Sequence, residues 1–260
     1  METLMLGFAL IFGAAVGSFL NVVILRLPRE DVSIAFPASH CPRCQHPLSW
    51  WENIPILSYL LLRGHCRCCR ATISWMYPVV EAAMAIFSAL LCWQYGPSIE
   101  FARLFVFFAA LLVIIFIDIH HQIIPDRISL PGIVLGLATS PFSQQITWQQ
   151  SGLGLLLGGG VLYLVAWVYL TLAKRDGMGG GDIKLLAMIG AFLGWQSLLY
   201  VVFASSLSGS VVGIIAMIRQ GKGGKTRIPF GPFLAFGAIT WVLFQQQILL
   251  LWQMYLGLLR

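Results

Sequence analysis

An all-α polytopic membrane protein with about eight transmembrane helices is the fold that the sequence predicts. Three observations lead there. Of the 260 residues, 58% are hydrophobic and only 10% are charged, where a soluble domain carries about a quarter charged residues; mean hydropathy is +0.84. Several apolar stretches reach the roughly 18 residues that read as membrane spans. Once these stretches are made to alternate across a bilayer, the cations gather on one side.

The spans follow in order. The first covers 4–25, and the second covers 77–93 and closes at "QYGP". The third, 101–117, runs straight into Asp118. A fourth, 128–140, is short and contains a proline, and a fifth, 152–173, ends at Lys174 and Arg175. Segment 183–194 is too short to cross unaided, which makes it a half-span or a re-entrant helix. Segments 197–218 and 232–256 are long enough to complete the set. The chain thus divides into a first transmembrane helix (1–25), a loop (26–76) and a membrane domain (77–260).

Orientation comes from Lys and Arg. With an outward N-terminus, one side receives the loop residues Arg26, Arg29, Arg43, Arg63, Arg67 and Arg70. It also receives Arg127, Lys174, Arg175, Lys184, Arg219, Lys222, Lys225 and Arg227, leaving only Arg103 and Arg260 opposite. The crowded side is cytoplasmic and the N-terminus periplasmic. This bias accounts for the net charge of +6 without a nucleic-acid partner. Glu2 before the first apolar run and Arg26 after it mark a retained anchor rather than a cleaved signal peptide.

Asp118, Asp126 and Asp182 all fall at cytoplasmic helix ends. Ionisable groups in membrane segments are costly and face a bundle interior or a water-filled cavity. The plainer alternative makes them interfacial acids paired with Arg127 and Lys184. That alternative fits Asp126 as well as a functional role does, since "IPDRIS" reads as a helix start with Pro before an N-cap Asp. It fits Asp118 less well, at the end of a long apolar run with no cation before Arg127. It also fits Asp182 less well: this residue sits on a glycine loop, "GMGGGDIKLL", whose missing side chains let an extended backbone approach closely. Two neighbouring carboxylates share a proton, so that one is acid and the other base. Such a pair activates water against a peptide carbonyl. The scattered serines, and His120 and His121, form no competing nucleophilic arrangement.

The loop carries a second signal. "CPRCQHPLSW" at 41–50 recurs as "CRCCRATISW" at 66–75, a shift of 25 residues that superposes Cys41 on Cys66 and Cys44 on Cys69. Two C-x-x-C pairs at this spacing read as a four-cysteine structural zinc site. The register leaves Cys68 spare. Disulfides are the alternative, disfavoured in a reducing cytoplasmic loop. His40, His46 and His65 flank the ligands, and Cys92 reads as a packing residue.

Over nearly its whole length the chain resembles the type IV prepilin peptidases, the bacterial branch of the GxGD intramembrane aspartyl proteases. The resemblance rests on "GSFLNVVILRLP", "NIPILSYLLLRG", "YPVVE", "FIDIHHQIIPD", "MGGGDIKLL" and "IPFGPFLAFG", which stand in that order. It implies that Asp118 and Asp182 are the catalytic pair and that Gly179 and Gly181 are the motif glycines. Asp126, at the "PD" position, and Lys184 would be supporting. It also implies cleavage of prepilins or pseudopilins after a glycine at the inner membrane, and N-methylation of the new terminus from S-adenosylmethionine. No nucleotide loop stands out, because "GLLLGGG" at 154–160 reads as close helix packing. A peptidase without the methyltransferase activity is the nearest alternative. A proton- or ion-coupled transporter would account for the acids and broken helices but not for the cysteine loop, and a secretion scaffold would account for the loop but not for the acid pair.

Overall fold

The computed structural model of the protein describes residues 2–29, 33–36, 38–174, 179–220 and 228–258. These form α1 (Glu2–Arg26), α2 (Leu57–Leu61), α3 (Met76–Tyr95), α4 (Ile99–His121), α5 (Asp126–Thr139), α6 (Trp148–Ala173), α7 (Gly180–Leu193), α8 (Trp195–Gln220) and α9 (Gly231–Leu258). No strand occurs among the described residues, only two isolated β-bridges. All eight expected apolar segments are helical, but among the described residues only six helices are long and apolar enough to span: α1, α3, α4, α6, α8 and α9. The expected count of eight spans is therefore corrected to six. α5 and α7 have 14 residues each, a rise of about 21 Å against a hydrocarbon core of about 30 Å.

The chain forms two compact units, Met1–Ile117 and Asp118–Arg260. In the first, α1 and α3 lie antiparallel with their backbones almost touching. A Cβ at Gly13 would stand 2.5 Å from the Met84 carbonyl oxygen, and one at Gly17 would stand 2.7 Å from Glu81 Cα. Small residues one turn apart are how helices in lipid approach closely enough for dispersion to hold them. One turn further on, Asn21 Nδ2 donates to the Tyr77 carbonyl at 3.1 Å. The loop is fastened to the same helix, since Ile56 N–H donates to Glu81 Oε2 at 2.7 Å. Ile56 holds φ +64°, a conformation that a β-branched residue keeps only where its surroundings over-determine it. The motifs "NIPILSYLLLRG" and "YPVVE" meet at this bond. Arg103, assigned to the cation-poor side, is buried in an ion pair with Glu100 at 2.8 Å.

In the second unit α6 and α7 pack antiparallel. Gly154 lies against the Gly190 backbone, and a Cβ at Gly158 would stand 2.6 Å from the Leu186 carbonyl oxygen. Ser151 Oγ adds a buried hydrogen bond to the Ala191 carbonyl at 2.6 Å. The glycine run at 154–160 thus serves close packing, as its composition suggested. α5 runs parallel to α7, with Gly132 facing Met188 and Gly136 facing Ala191. α8 and α9 are antiparallel, joined where Ser205 Oγ donates to the Phe233 carbonyl at 3.0 Å. Consequently α5, α7 and α9 all begin at the same end of the unit. Every residue of α7 from Leu185 to Leu193 is buried. A helix too short to span is thereby enclosed in protein and apolar all round.

Gly154→Leu would drive a side chain into the α7 backbone. It should cost about 1–3 kcal/mol or more and lower the unfolding midpoint of the detergent-solubilised protein by several degrees. Gly160→Leu, where a Cβ would meet nothing within 4 Å, should leave that midpoint unchanged.

Candidate active site and metal centre

Asp118 lies in the last turn of α4 and is 5% exposed. Its Oδ2 accepts the backbone N–H of Gly231, the first residue of α9, at 3.0 Å. Asp182 is the third residue of α7, half-buried, with its own N–H bonded to the Gly179 carbonyl at 3.1 Å. The two acids border the same side chain: Ile124 lies against Gly181, next to Asp182, and against Gly231, whose N–H bonds Asp118. The common starting end of α7 and α9 brings them together.

Asp126 stands apart from this pair in its chemistry. Lys184 Nζ donates to both of its carboxylate oxygens, at 2.7 and 2.8 Å. The Lys184 and Asp126 side chains are 39% and 55% exposed, so the pair contributes about 0–1 kcal/mol. Its effect is geometric: it ties the start of α5 to the first turn of α7, two residues beyond Asp182. The N-cap of α5 is Pro125, with Asp126 inside the helix, which corrects the expected N-cap role. Interfacial pairing with Lys184 thus describes Asp126 and not Asp182.

The glycines act differently from one another. Asp182 sits in a helical turn rather than an extended loop, which corrects the expectation of a glycine loop at that residue. A Cβ at Gly181 would fall 2.9 Å from Ile124 Cβ, one at Gly180 would meet nothing within 4 Å, and one at Gly179 would stand 3.5 Å from Asp182 Oδ2. Gly181 is therefore required by the packing of Ile124, and the bare flank is at Gly180. Gly177 and Met178, also in the quoted stretch, lie outside the described residues.

The cysteine duplication extends into the hydrogen bonds. Cys41 N–H donates to the His46 carbonyl at 2.9 Å, and Cys66 N–H donates to the Ala71 carbonyl at 2.8 Å. Gln45 and Arg70, again 25 residues apart, donate to the carbonyls of Cys41 and Cys66 and carry φ of +58° and +54°. Cys41, Cys44, Cys66 and Cys69 converge, with their sulfurs within 4.8 Å of one another. The Cys41–Cys69 and Cys44–Cys66 separations are both 3.9 Å. Tetrahedral coordination at a Zn–S distance of about 2.3 Å requires sulfurs about 3.8 Å apart, so the four fit such an ion. A disulfide, at about 2.05 Å, does not describe them.

Cys68 is exposed and outside the cluster. The N–H groups of Cys44 and then Arg43 hold the Cys41 thiol down to about 7, against burial, which acts the other way. The histidines are not ligands. His40 and His65 bond the Ala38 and Arg63 carbonyls through Nδ1, and His46 Nε2 lies 3.7 Å from Glu52. Glu52 accepts the Ser49 N–H at 2.8 Å, and that bond foremost keeps its carboxyl below the ordinary range. Cys92 is only half-buried.

Residues 11–95 match the model of the bacterial peptidase A24 N-terminal domain, and residues 105–214 match that of the type IV leader peptidase family. The chain belongs to the type IV leader peptidase family. Similar members include a prepilin leader peptidase/N-methyltransferase of Stutzerimonas stutzeri, 38% identical over 92% of this chain and 91% of that protein. Proteins of the same description occur in Pseudomonas aeruginosa (36% identical, over 92% of this chain and 90% of that protein) and Neisseria gonorrhoeae (38% identical, 91% and 88%). No solved structure matches the chain.

Sequence reasoning passed over Gly231, Ile124, Glu52 and Glu81. Three of these stood inside quoted motifs: Gly231 in "IPFGPFLAFG", Ile124 in "FIDIHHQIIPD" and Glu81 in "YPVVE". The hydrogen-bond partners of Gly231 and Glu81 lie 113 and 25 residues away, so spacing could not assign them. Metal analysis of the purified leader peptidase family protein should find about one ion per chain. Cys68→Ser should keep that ion and Cys69→Ser should lose it; the reverse outcome would make Cys68 the ligand.

Proposed function

We propose that the chain is a membrane aspartic endopeptidase that removes the leader of prepilins or pseudopilins after a glycine, and that it then N-methylates the new terminus. The observation that carries this reading is that Asp118 of α4 and Asp182 of α7 both border Ile124, in a chain whose relatives are described as prepilin leader peptidase/N-methyltransferases. One carboxylate draws a proton from water as the water attacks the scissile carbonyl, and the other protonates the substrate. Gly179, Gly181, Asp126 and Lys184 support the pair: Gly181 admits Ile124, and the Lys184–Asp126 bridge holds the start of α7. The reading assigns the anchor to 1–25, the metal loop to 26–76 and the peptidase to 77–260.

The charge asymmetry supports an inner-membrane protein with a periplasmic N-terminus and a cytoplasmic active site. A prepilin would present its basic leader to the cytoplasm and its apolar helix to the bilayer. The cut peptide must be non-helical, because helical carbonyls are tied up in internal hydrogen bonds, and a glycine lowers the cost of that opening. Zinc is the ion suited to Cys41, Cys44, Cys66 and Cys69, where it would cross-link two segments of the loop and take no part in hydrolysis. S-adenosylmethionine is the methyl donor that the relatives' description calls for. In the glycine run of α6, Gly154 and Gly158 are covered by the α7 backbone, and no methyl-transfer step is assigned to particular residues.

The test is cleavage of a prepilin in detergent. Asp118→Asn and Asp182→Asn should each abolish it, while Asp126→Asn should be milder. Near-normal cleavage by either of the first two would defeat the assignment. In the substrate, a bulky residue in place of the glycine before the cut should stop cleavage. Loss of one leader lysine should matter little, since a surface charge contact is worth about 1 kcal/mol or less.

A further inference from the structure

Asp118 and Asp182 meet unlike surroundings. The buried N–H of Gly231 donates to Asp118 Oδ2 at 3.0 Å. It is one of the first N–H groups of α9, whose first helical stretch runs from Gly231 to a kink at Phe244, the groups that have no partner within the helix and carry its partial positive charge. The approach requires glycine, because a Cβ at position 231 would stand 2.6 Å from Asp118 Oδ2. The mount is firm: Ser205 of α8 holds the Phe233 carbonyl at 3.0 Å, and a Cβ at Gly237 would meet the Val201 carbonyl oxygen at 2.8 Å. Ile124 completes it, with its side chain against both Gly181 and Gly231.

Asp182 also lies in a first helical turn, but no N–H or side-chain donor among the described residues reaches its carboxylate. The cation nearest in sequence, Lys184, is engaged by both oxygens of Asp126. His120 and His121 are exposed at the end of α4. A hydrogen bond from a neutral donor to a charged acceptor is about twice as strong as a neutral pair. Of two carboxylates sharing one proton, the bonded one therefore keeps the charge.

Resting on the peptidase reading, we infer that Gly231 is a positioning residue that makes Asp118 the ionised base and leaves the proton on Asp182, the acid. Water gives a proton to Asp118 as its oxygen bonds the scissile carbon, and Asp182 passes its proton to the carbonyl oxygen. When the resulting gem-diol collapses, the C–N bond breaks. One hydroxyl proton then returns to Asp182, and the proton on Asp118 goes to the departing nitrogen. The pair ends as it began, with hydrolysis balanced.

The experiment is the pH profile of kcat for prepilin cleavage by the full-length protein, comparing the parent with Gly231→Pro and Gly231→Ala. Proline deletes the N–H, and it suits the first position of a helix. Alanine keeps the N–H but pushes Oδ2 away from it. Losing a donor to a charged group should lower kcat about 10- to 100-fold at neutral pH, with KM within about twofold of the parent. The acid limb should move to higher pH, since Asp118 without its donor is protonated more readily.

A basic limb moving to higher pH would reverse the two roles and overturn the inference. Unmoved limbs in a folded variant would reduce Gly231 to a structural residue and overturn it too. Should the proline variant fail to accumulate, the alanine variant decides. Cleavage by Asp118→Asn or Asp182→Asn would instead defeat the peptidase site itself, so the two failures are distinguishable.

Discussion

Backbone contact between Gly154 of α6 and Gly190 of α7 is what the rest of the second unit depends on. Lipid tails are as apolar as leucine, so helices within a bilayer gain little from hiding apolar side chains from one another. Close approach and dispersion have to supply the attraction. Here the glycines bring α7 against α6, and Ser151 ties that contact to the Ala191 carbonyl. α7 is too short to reach both interfaces, and its register against its neighbours sets the depth of its first turn. Asp182 and Lys184 inherit their positions from that register. The first unit repeats the device at Gly13 and Gly17 with different partners.

Six acids among the described residues follow a common rule with one departure. Glu52 takes the Ser49 N–H, Glu81 the Ile56 N–H, Glu100 the Arg103 guanidinium, Asp118 the Gly231 N–H and Asp126 the Lys184 ammonium. A carboxylate removed from water is expensive unless donors meet it, and each of these has been met. Asp182 alone in this set has no donor among the described residues. The flank beside it is open as well, since a Cβ at Gly180 would meet nothing within 4 Å.

The cysteine loop is organised on a separate principle. Its two halves repeat residue types and also turn geometry, carbonyl acceptors and left-handed residues, each displaced by 25 positions. Each half alone supplies two sulfurs, and only their juxtaposition gives four at tetrahedral spacing. The connecting stretch is held by Glu52 at one end and by the strained Ile56, bonded to Glu81, at the other. Arg67 over the Trp51 ring, 5.0 Å from its centroid, adds a contact across the same stretch.

Much of this could be read in the order of residues, because it depends on local or repeating properties. Apolar runs located every helix among the described residues except the short α2, the 25-residue repeat chose Cys69 over Cys68, and the glycines of α6 announced a close contact. Length also warned that segment 183–194 could not cross. Which helices α7 touches, and that α5 likewise stops short of spanning, depended on partners far along the chain. The same holds for the acids: composition pointed to three aspartates, but pairing Lys184 with Asp126 rather than Asp182 required α5 and α7 to lie parallel. The donor to Asp118 was invisible for the plainest reason. It is a backbone N–H, which every residue except proline possesses, and only folding determines which one arrives.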